Sequence, residues 1–447
     1  MSAGPDPVSV EAPKPDWSGR HLELELGAVG HGGFCVARHE GRVVFVRHGL
    51  PGERVRAVVT EDRGGSFCRA DAFEVGTASP DRVPAPCPAA GPGRCGGCDF
   101  QHVAPQAQRR LKAEVVAEQL RRLGGLATTA AEVVVEELPG SHADEVGAGL
   151  GWRTRVRLAV DPAGRPGLHQ HRSTRVLPLE DCPQAVPGAL DGVFTRRWTP
   201  GAEIAAVLDG DGQQHVVELV PVAHTDGRGR GARPRRGQKP RTRPRVVTGN
   251  GRAVEHAGGL TFDVLATGFW QGHTGAAGIY AEAVRRWAAA PAGGTAWDLY
   301  GGVGLFAAVL AEQVGPHGTV HSVESSRLAT ADGAAALADL AQVRFVTGTV
   351  EAEIATLPRP VDVVVLDPPR SGAGRAVVEA IAEAGPERVV YVACDPAALG
   401  RDVALLGAQG YRLAKLRAFD AFPMTHHVEC IALFTRAAHR AGTALDP

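Results

Sequence analysis

Long apolar stretches are missing from this chain: no run of about eighteen apolar residues occurs, which argues against a membrane-spanning helix. Cysteine is sparse, with eight in 447 residues. Such few and clustered thiols do not make a secreted disulfide scaffold, so metal binding or catalysis is the better use for them. An excess of charge is missing too: the formal net charge is −1, and bulk electrostatics predicts no polyanion partner. Lysine is represented by Lys14, Lys112, Lys239 and Lys415 alone, and codon bias explains that skew toward arginine as readily as phosphate recognition does. Residues 1–16 are rich in proline and acids and lack an apolar core, so they read as a disordered tail and not as a signal peptide. A soluble, cytoplasmic, monomeric protein is the expectation.

What is present suffices for roughly three domains, since 44% of the residues are hydrophobic. The most informative stretch is Tyr391-Val392-Ala393-Cys394-Asp395-Pro396, an apolar run that delivers a cysteine and then breaks on proline. A strand carrying a thiol to its carboxyl end before a helix start is where an open α/β sheet puts its chemistry. Taken alone, a buried cysteine at the end of a core strand is the commoner explanation.

Residues 17–78 alternate apolar and polar positions, as in Leu22-Glu23-Leu24-Glu25-Leu26 and Arg42-Val43-Val44-Phe45-Val46, with glycine between the runs. Period-two patterning with such punctuation predicts a small antiparallel barrel. The stretch resembles a TRAM domain, an OB-like barrel, on the run Gly32-Gly33-Phe34-Cys35-Val36-Ala37-Arg38 and the turn Leu50-Pro51-Gly52-Glu53. The resemblance implies a grip on RNA, the plainer alternative being a barrel that only packs on its neighbour. Cys35 and Cys68 stand alone and read as packing residues.

Residues 79–258 form the expected central domain. Cys95-Gly96-Gly97-Cys98 with Cys87 upstream is a strong metal signal, because glycine lets several thiolates converge. Cys182 is the candidate fourth ligand. Three close ligands and one remote suit an iron–sulfur cluster, with zinc as the alternative, since zinc ribbons usually pair their ligands closely. His102 reads as a hydrogen-bonded loop residue. Residues 106–124 carry an amphipathic helical pattern. The strand Trp152-Arg153-Thr154-Arg155-Val156-Arg157-Leu158-Ala159-Val160 has an arginine face that either meets phosphate or is simply solvated. The segment 225–246 is crowded with arginine, glycine and proline and is expected to be disordered, either a nucleic-acid arm or a solubilising insertion.

From residue 259 to 447 strands and helices alternate, predicting a doubly wound, Rossmann-like α/β sheet. Asp298-Leu299-Tyr300-Gly301-Gly302-Val303-Gly304 runs from a strand into a glycine turn, and Glu324 ends the next strand where a carboxylate can bind a ribose diol. Asp367-Pro368-Pro369 ends the fourth strand and argues against a dehydrogenase. With Phe269-Trp270-Gln271, Arg370-Ser371-Gly372, Cys394-Asp395-Pro396 and the stretch from Asp420 to Glu429, these motifs resemble the uracil-5 RNA methyltransferases. The resemblance reaches nearly the whole chain and is nearest to the iron–sulfur 23S ribosomal RNA uridine methyltransferases.

It implies S-adenosylmethionine as cofactor, held by Gln271, Tyr300, Glu324 and Asp367, and a 4Fe–4S cluster on Cys87, Cys95, Cys98 and Cys182. It implies Cys394 as the nucleophile that adds to carbon 6 of uracil and Glu429 as the general base. The RNA substrate would be 23S ribosomal RNA or a transfer RNA, with the target base flipped from its stack. A non-catalytic RNA-binding protein and a cytosine-directed enzyme are the rival readings. Departures from the pattern are the seven residues between Cys87 and Cys95, Leu305 where asparagine is common, and Thr349 where an acid or amide often faces adenine.

Overall fold

The computed structural model describes residues 16–127, 132–140, 142, 144, 147–222 and 241–436. The tail expected at the amino terminus lies almost wholly outside them, as does most of the arginine-rich segment. Among the described residues no helix is long and apolar enough to cross a membrane.

The first sheet comprises β1 (His21–Glu25), β2 (Val29–Gly30), β3 (Phe34–His39), β4 (Arg42–Arg47), β5 (Arg54–Asp62) and β6 (Phe67–Thr77), in the order β1-β5-β6-β4-β3-β2. Its alternating sequence puts one face inward, where Leu22, Leu24, Val44, Val46, Val55 and Ala57 close a core. The chain after β1 bends so that the Gly27 N–H donates to Val36 O at 2.8 Å. The start of the sheet thereby touches β3 as well as its β5 partner.

A second sheet, β10-β9-β8-β11-β12-β13 in order, joins β8 (Arg155–Val160), β9 (Pro166–His169), β10 (Val176–Pro178), β11 (Glu203–Leu208), β12 (Gln214–Pro221) and β13 (Thr242–Thr248). Strand β13 corrects the expectation of disorder across 225–246. Residues 242–246 pair with β12, and Arg245 reaches the buried Glu218, so an arginine-rich sequence is drawn into an edge strand by a ladder and an ion pair. A hairpin of β14 (Arg252–Ala257) and β15 (Leu260–Leu265) follows.

The third sheet has eight strands: β7 (Val135–Glu137), β16 (Thr295–Leu299), β17 (Thr319–Glu324), β18 (Val343–Thr347), β19 (Val363–Leu366), β20 (Arg388–Ala393), β21 (Tyr411–Asp420) and β22 (Glu429–Arg436). Their order is β18-β17-β16-β19-β20-β22-β21-β7. Strands β16 to β20 are parallel and read as nearly unbroken apolar runs because helices cover both faces. The chain steps outward from β16 to β18 and then returns to the other side of β16. That reversal opens a crevice at the carboxyl ends of β16 and β19.

Two elements from the middle of the sequence join this sheet. Helix α1 (Pro105–Arg122) starts with proline in its first turn, where a missing N–H costs nothing, and its face of Val116, Ala117 and Leu120 is buried in the core of the third sheet. Strand β7 pairs in parallel with β21. Helix α1 also carries the fully buried Lys112, whose Nζ donates to Asp420 Oδ1 at 2.5 Å and to Phe422 O at 3.1 Å. Removing one partner of a buried pair strands the other charge. Lys112→Ala is therefore expected to lower the unfolding free energy by about 3–5 kcal/mol, read from the midpoint of urea denaturation; a midpoint equal to wild type would contradict it.

Candidate active site

The crevice at the strand reversal holds a cavity of about 920 Å³, lined among others by Gln271, Tyr300, Glu324, Asp367, Cys394 and Glu429. All six residues expected of the cofactor and catalytic sites thus share one space. Local sequence explains how each arrives there. Strand β16 is followed at once by Tyr300, held at φ +60°, a left-handed conformation that a tyrosine adopts only where its surroundings enforce it. The glycines that follow are required: a Cβ on Gly301 would collide with Ser322 Oγ and Asp298 Oδ2. The Gly302 N–H donates to Glu324 Oε2 at 3.2 Å, while Glu324 Oε1 accepts from the Ser326 N–H at 2.6 Å. Glu324 accordingly braces the glycine turn and the start of the next helix as well as facing the cavity.

The segment with Phe269, Trp270 and Gln271 is held from the second sheet. Arg155 donates to the carbonyls of Leu265, Ala266 and Gly268 at 3.4–3.5 Å and to Glu255 at 2.7 Å. Arg157 donates to Thr267 O at 3.2 Å and to Glu203. The arginine face read from the sequence as a phosphate contact or a solvated surface instead fastens a loop of the cavity wall.

Strands β20 and β22 place the thiol and the carboxyl together. They are antiparallel, with Ala393 opposite Cys430. The ladder ends there, leaving Cys394 and Glu429 as the next residue outward on each chain, and both line the cavity. After helices α2 (Ala276–Ala288), α3 (Leu305–Val314), α4 (Arg327–Ala336), α5 (Val350–Glu353) and α6 (Gly374–Ala384) comes α7 (Pro396–Ala408), which Asp395 caps by accepting from the Ala398 N–H at 2.8 Å, with Pro396 in the first turn. The cysteine therefore sits at a fixed strand-to-helix corner.

The electrostatics are those of a dry, acidic chamber. Burial first, and then Glu429 and Asp367, push the Cys394 thiol up to about 12, with Arg370 pulling the other way. Burial and the nearby Asp298 raise Asp367 to about 7. Glu429, 4% exposed, is raised well above the ordinary carboxyl range by burial and by Asp367, again opposed by Arg370. Burial and the neighbouring acids therefore favour the uncharged forms of Cys394 and Glu429, and positive charge favours their ionised forms. Arg370 is oriented by His427, whose Nε2 accepts from its Nη2 at 3.3 Å. Burial, His426 and Arg370 lower His427 to about 3, so its ring is neutral and free to accept.

Sequence reasoning missed Glu351, a cavity residue whose Oε1 accepts from the Tyr300 hydroxyl at 3.3 Å. It lies two residues past Thr349, and an acid in a short helix just after strand β18 was the available signal. Phe422 and His427 also line the cavity.

The four cysteines expected as ligands come from the loop after the first sheet and from the second sheet's core. Cys87, Cys95 and Cys182 each act electrostatically on Cys98, whose thiol burial holds far above its usual range. Gln101 Nε2 donates to Cys98 Sγ and the Gly97 N–H to Cys95 Sγ. The structure brings the four into one neighbourhood but not into a tight ligand set: among the described residues no group of three or more His, Cys, Asp or Glu is close enough to hold a metal ion.

A doubly wound sheet with this cavity at its reversal, a glycine turn and a bracing carboxylate defines a class I S-adenosylmethionine-dependent methyltransferase. Comparison with known proteins narrows the class. Residues 319–437 match the model of the tRNA (uracil-5-)-methyltransferase family, and residues 18–72 match the TRAM domain. The chain is 46% identical over 445 residues to an uncharacterized RNA methyltransferase of Streptomyces avermitilis, covering 94% of this chain and 99% of that protein. Another from Streptomyces coelicolor is 46% identical over 442 residues, covering 94% of each. Among solved structures, the Pyrococcus abyssi tRNA (uracil-54, C5)-methyltransferase in complex with S-adenosyl-L-homocysteine superposes with a TM-score of 0.66 at 19% identity, covering 93% of this chain and all of that one, a likeness of fold. The chain belongs to the RNA uracil-5-methyltransferase family.

A thiol held near 12 gains thiolate about tenfold for each pH unit below that value. Alkylation of Cys394 by iodoacetamide in the cofactor-free protein is therefore expected to climb about a hundredfold between pH 8 and pH 10, followed by mass spectrometry of its peptide. A plateau near pH 9, as an ordinary thiol gives, would show that burial and the acids around Cys394 do not govern it.

Proposed function

We propose that this enzyme methylates carbon 5 of a uridine in RNA through a covalent adduct between Cys394 and carbon 6. The observation that supports this reading is that Cys394 and the buried Glu429, each next to the last paired residues of β20 and β22, line one cavity. Carbon 5 of uracil is a poor nucleophile while the 5,6 double bond is intact. Addition of the Cys394 thiolate to carbon 6 moves the π electrons toward the carbonyl at carbon 4, and the resulting enolate makes carbon 5 nucleophilic. Bound S-adenosylmethionine supplies the electrophilic methyl group that carbon 5 takes and a positive sulfonium centre. Glu429 then removes the proton left on carbon 5, and the returning electron pair expels the Cys394 thiolate and restores the double bond. Gln271, Tyr300, Glu324 and Asp367 are the cofactor's contacts in this reading.

The electrostatics suit an ordered reaction. Cys394 and Glu429 both have to ionise, and burial and mutual repulsion oppose this. Positive charge, from Arg370 and from the sulfonium of the cofactor, favours the ionised form of both. Binding of cofactor before addition follows from that.

The substrate proposed is 23S ribosomal RNA, the reading attached to the four cysteines. Transfer RNA is the second reading, favoured by the description of the matching family. For the thiols, the proposed occupant is an iron–sulfur cluster, on the sequence spacing of Cys87, Cys95 and Cys98 close together with Cys182 remote, and zinc is the second reading.

With methyl-labelled S-adenosylmethionine and RNA from cells lacking the enzyme, label is expected in 5-methyluridine, in the ribosomal fraction and not the transfer RNA fraction. Cys394→Ala should abolish transfer, whereas Glu429→Gln should trap the methylated adduct as an enzyme–RNA band that survives denaturation. Full activity of Cys394→Ala would refute the covalent route. Protein purified without oxygen is expected to carry iron and acid-labile sulfide, both lost on Cys182→Ala; stoichiometric zinc without sulfide would overturn the cluster.

A further inference from the structure

The first sheet reaches into the reaction centre. Between β2 and β3 the turn of residues 30–33 carries His31, whose Nε2 lies 3.0 Å from Asp395 Oδ2, 364 residues away in sequence. Asp395 directly follows Cys394. Its other oxygen, Oδ1, caps helix α7 through the Ala398 N–H at 2.8 Å. One carboxylate thus joins three parts: the corner bearing the thiol, the first turn of the helix behind it, and the tip of a turn from another sheet.

The turn is not a loose surface loop. Gly33 has φ +76°, and a Cβ built on it would stand 2.7 Å from His426 Cβ and 3.4 Å from Phe100. His426 lies on the segment leading into Glu429, and its Nδ1 is 2.6 Å from Asp99 Oδ2. Asp99 also accepts from Arg47 of β4 at 2.9 Å. The tip bearing His31 is therefore seated against the segment that leads to the base while His31 itself reaches the residue beside the nucleophile.

We propose that His31 is a positioning residue for methyl transfer: donating from Nε2 to Asp395, it fixes the corner that aims Cys394 at carbon 6. As an ion pair alone the contact would matter little, because His31 is 38% and Asp395 20% exposed in their side chains. Its weight lies in geometry, since a small misplacement of a reacting group costs far more in rate than in stability. The first sheet then contributes to chemistry as well as to any grip on RNA.

This inference rests on Cys394 as the nucleophile, so Cys394→Ala is the companion control. His31→Ala and His31→Gln are assayed with labelled S-adenosylmethionine and total RNA from cells lacking the enzyme, together with RNA retention on filters. His31→Ala is expected to lower kcat about tenfold while the half-saturating RNA concentration and the retained RNA stay near wild type. His31→Gln, whose amide nitrogen has similar reach and can donate to Asp395, should recover most of the rate. A wild-type kcat in His31→Ala, a loss confined to RNA affinity, or no recovery with glutamine would each overturn the proposal. If instead Cys394→Ala stays active, the nucleophile reading fails, an outcome separate from any behaviour of the His31 variants.

Discussion

The connection between β21 and β22 is the constraint on which the site depends, because Glu429 can face Cys394 only if this stretch enters β22 at a fixed angle. Met424 at its centre is held at φ +64°, a conformation that costs a methionine of the order of 1 kcal/mol or more. Its surroundings impose it. Gln108 Oε1 accepts from the Met424 N–H at 2.8 Å, and the Met424 carbonyl accepts from the Asp99 and Phe100 N–H groups at 3.0 and 2.9 Å. Lys112 fixes Asp420 and the Phe422 carbonyl, Gln184 donates to Pro423 O, and Asp99 holds His426. Helix α1, the cysteine loop and the second sheet's flank all close on eight residues.

That convergence explains why so much polypeptide surrounds a small reaction. A thiol and two carboxyl groups buried together repel one another whenever two of them ionise, so an empty cavity with flexible walls would relieve the strain by opening. Walls pinned from several directions keep the groups in place while uncharged and ready to respond to incoming positive charge. Arg370 is the one cation of the described cavity lining, and its partner His427 belongs to the same pinned connection. Position and charge are therefore controlled by the same residues.

The motifs at strand ends were legible in the sequence because their chemistry is local. A strand followed by Gly-x-Gly, Asp-Pro-Pro or Cys-Asp-Pro announces its own corner, and the six residues read from such corners and from Gln271 and Glu429 line one cavity. The supporting parts were not legible. Arg155 and Arg157 read as either a phosphate contact or a solvated face, since alternation shows which side of a strand a residue occupies but not what will be packed there. Helix α1 read as a helix with one apolar face, yet it is buried on two: Val116, Ala117 and Leu120 enter the core of the third sheet while Ala107, Leu111 and Val115 pack with Val29, Leu50 and Phe100. Residues 242–246 show the opposite failure: composition argued for disorder, and pairing with β12 with a buried acid opposite Arg245 prevailed.

The cysteine loop occupies a telling place in this scheme. Cys98 is followed at once by Asp99 and Phe100, whose backbone amides bind Met424 and whose carboxylate binds His426. Whatever fixes the Cys98 backbone also fixes the connection that delivers Glu429, with no side chain in between to absorb a shift. Burial pushes the Cys98 thiol up, and its Sγ accepts from Gln101 Nε2 at 3.3 Å. A centre bound by the four thiols would add rigidity at the point where the loop meets the connection, so its effect on the reaction would be exerted through the backbone of residues 98–100. Structural and catalytic roles of these cysteines are for that reason a single question of how firmly Met424 is held.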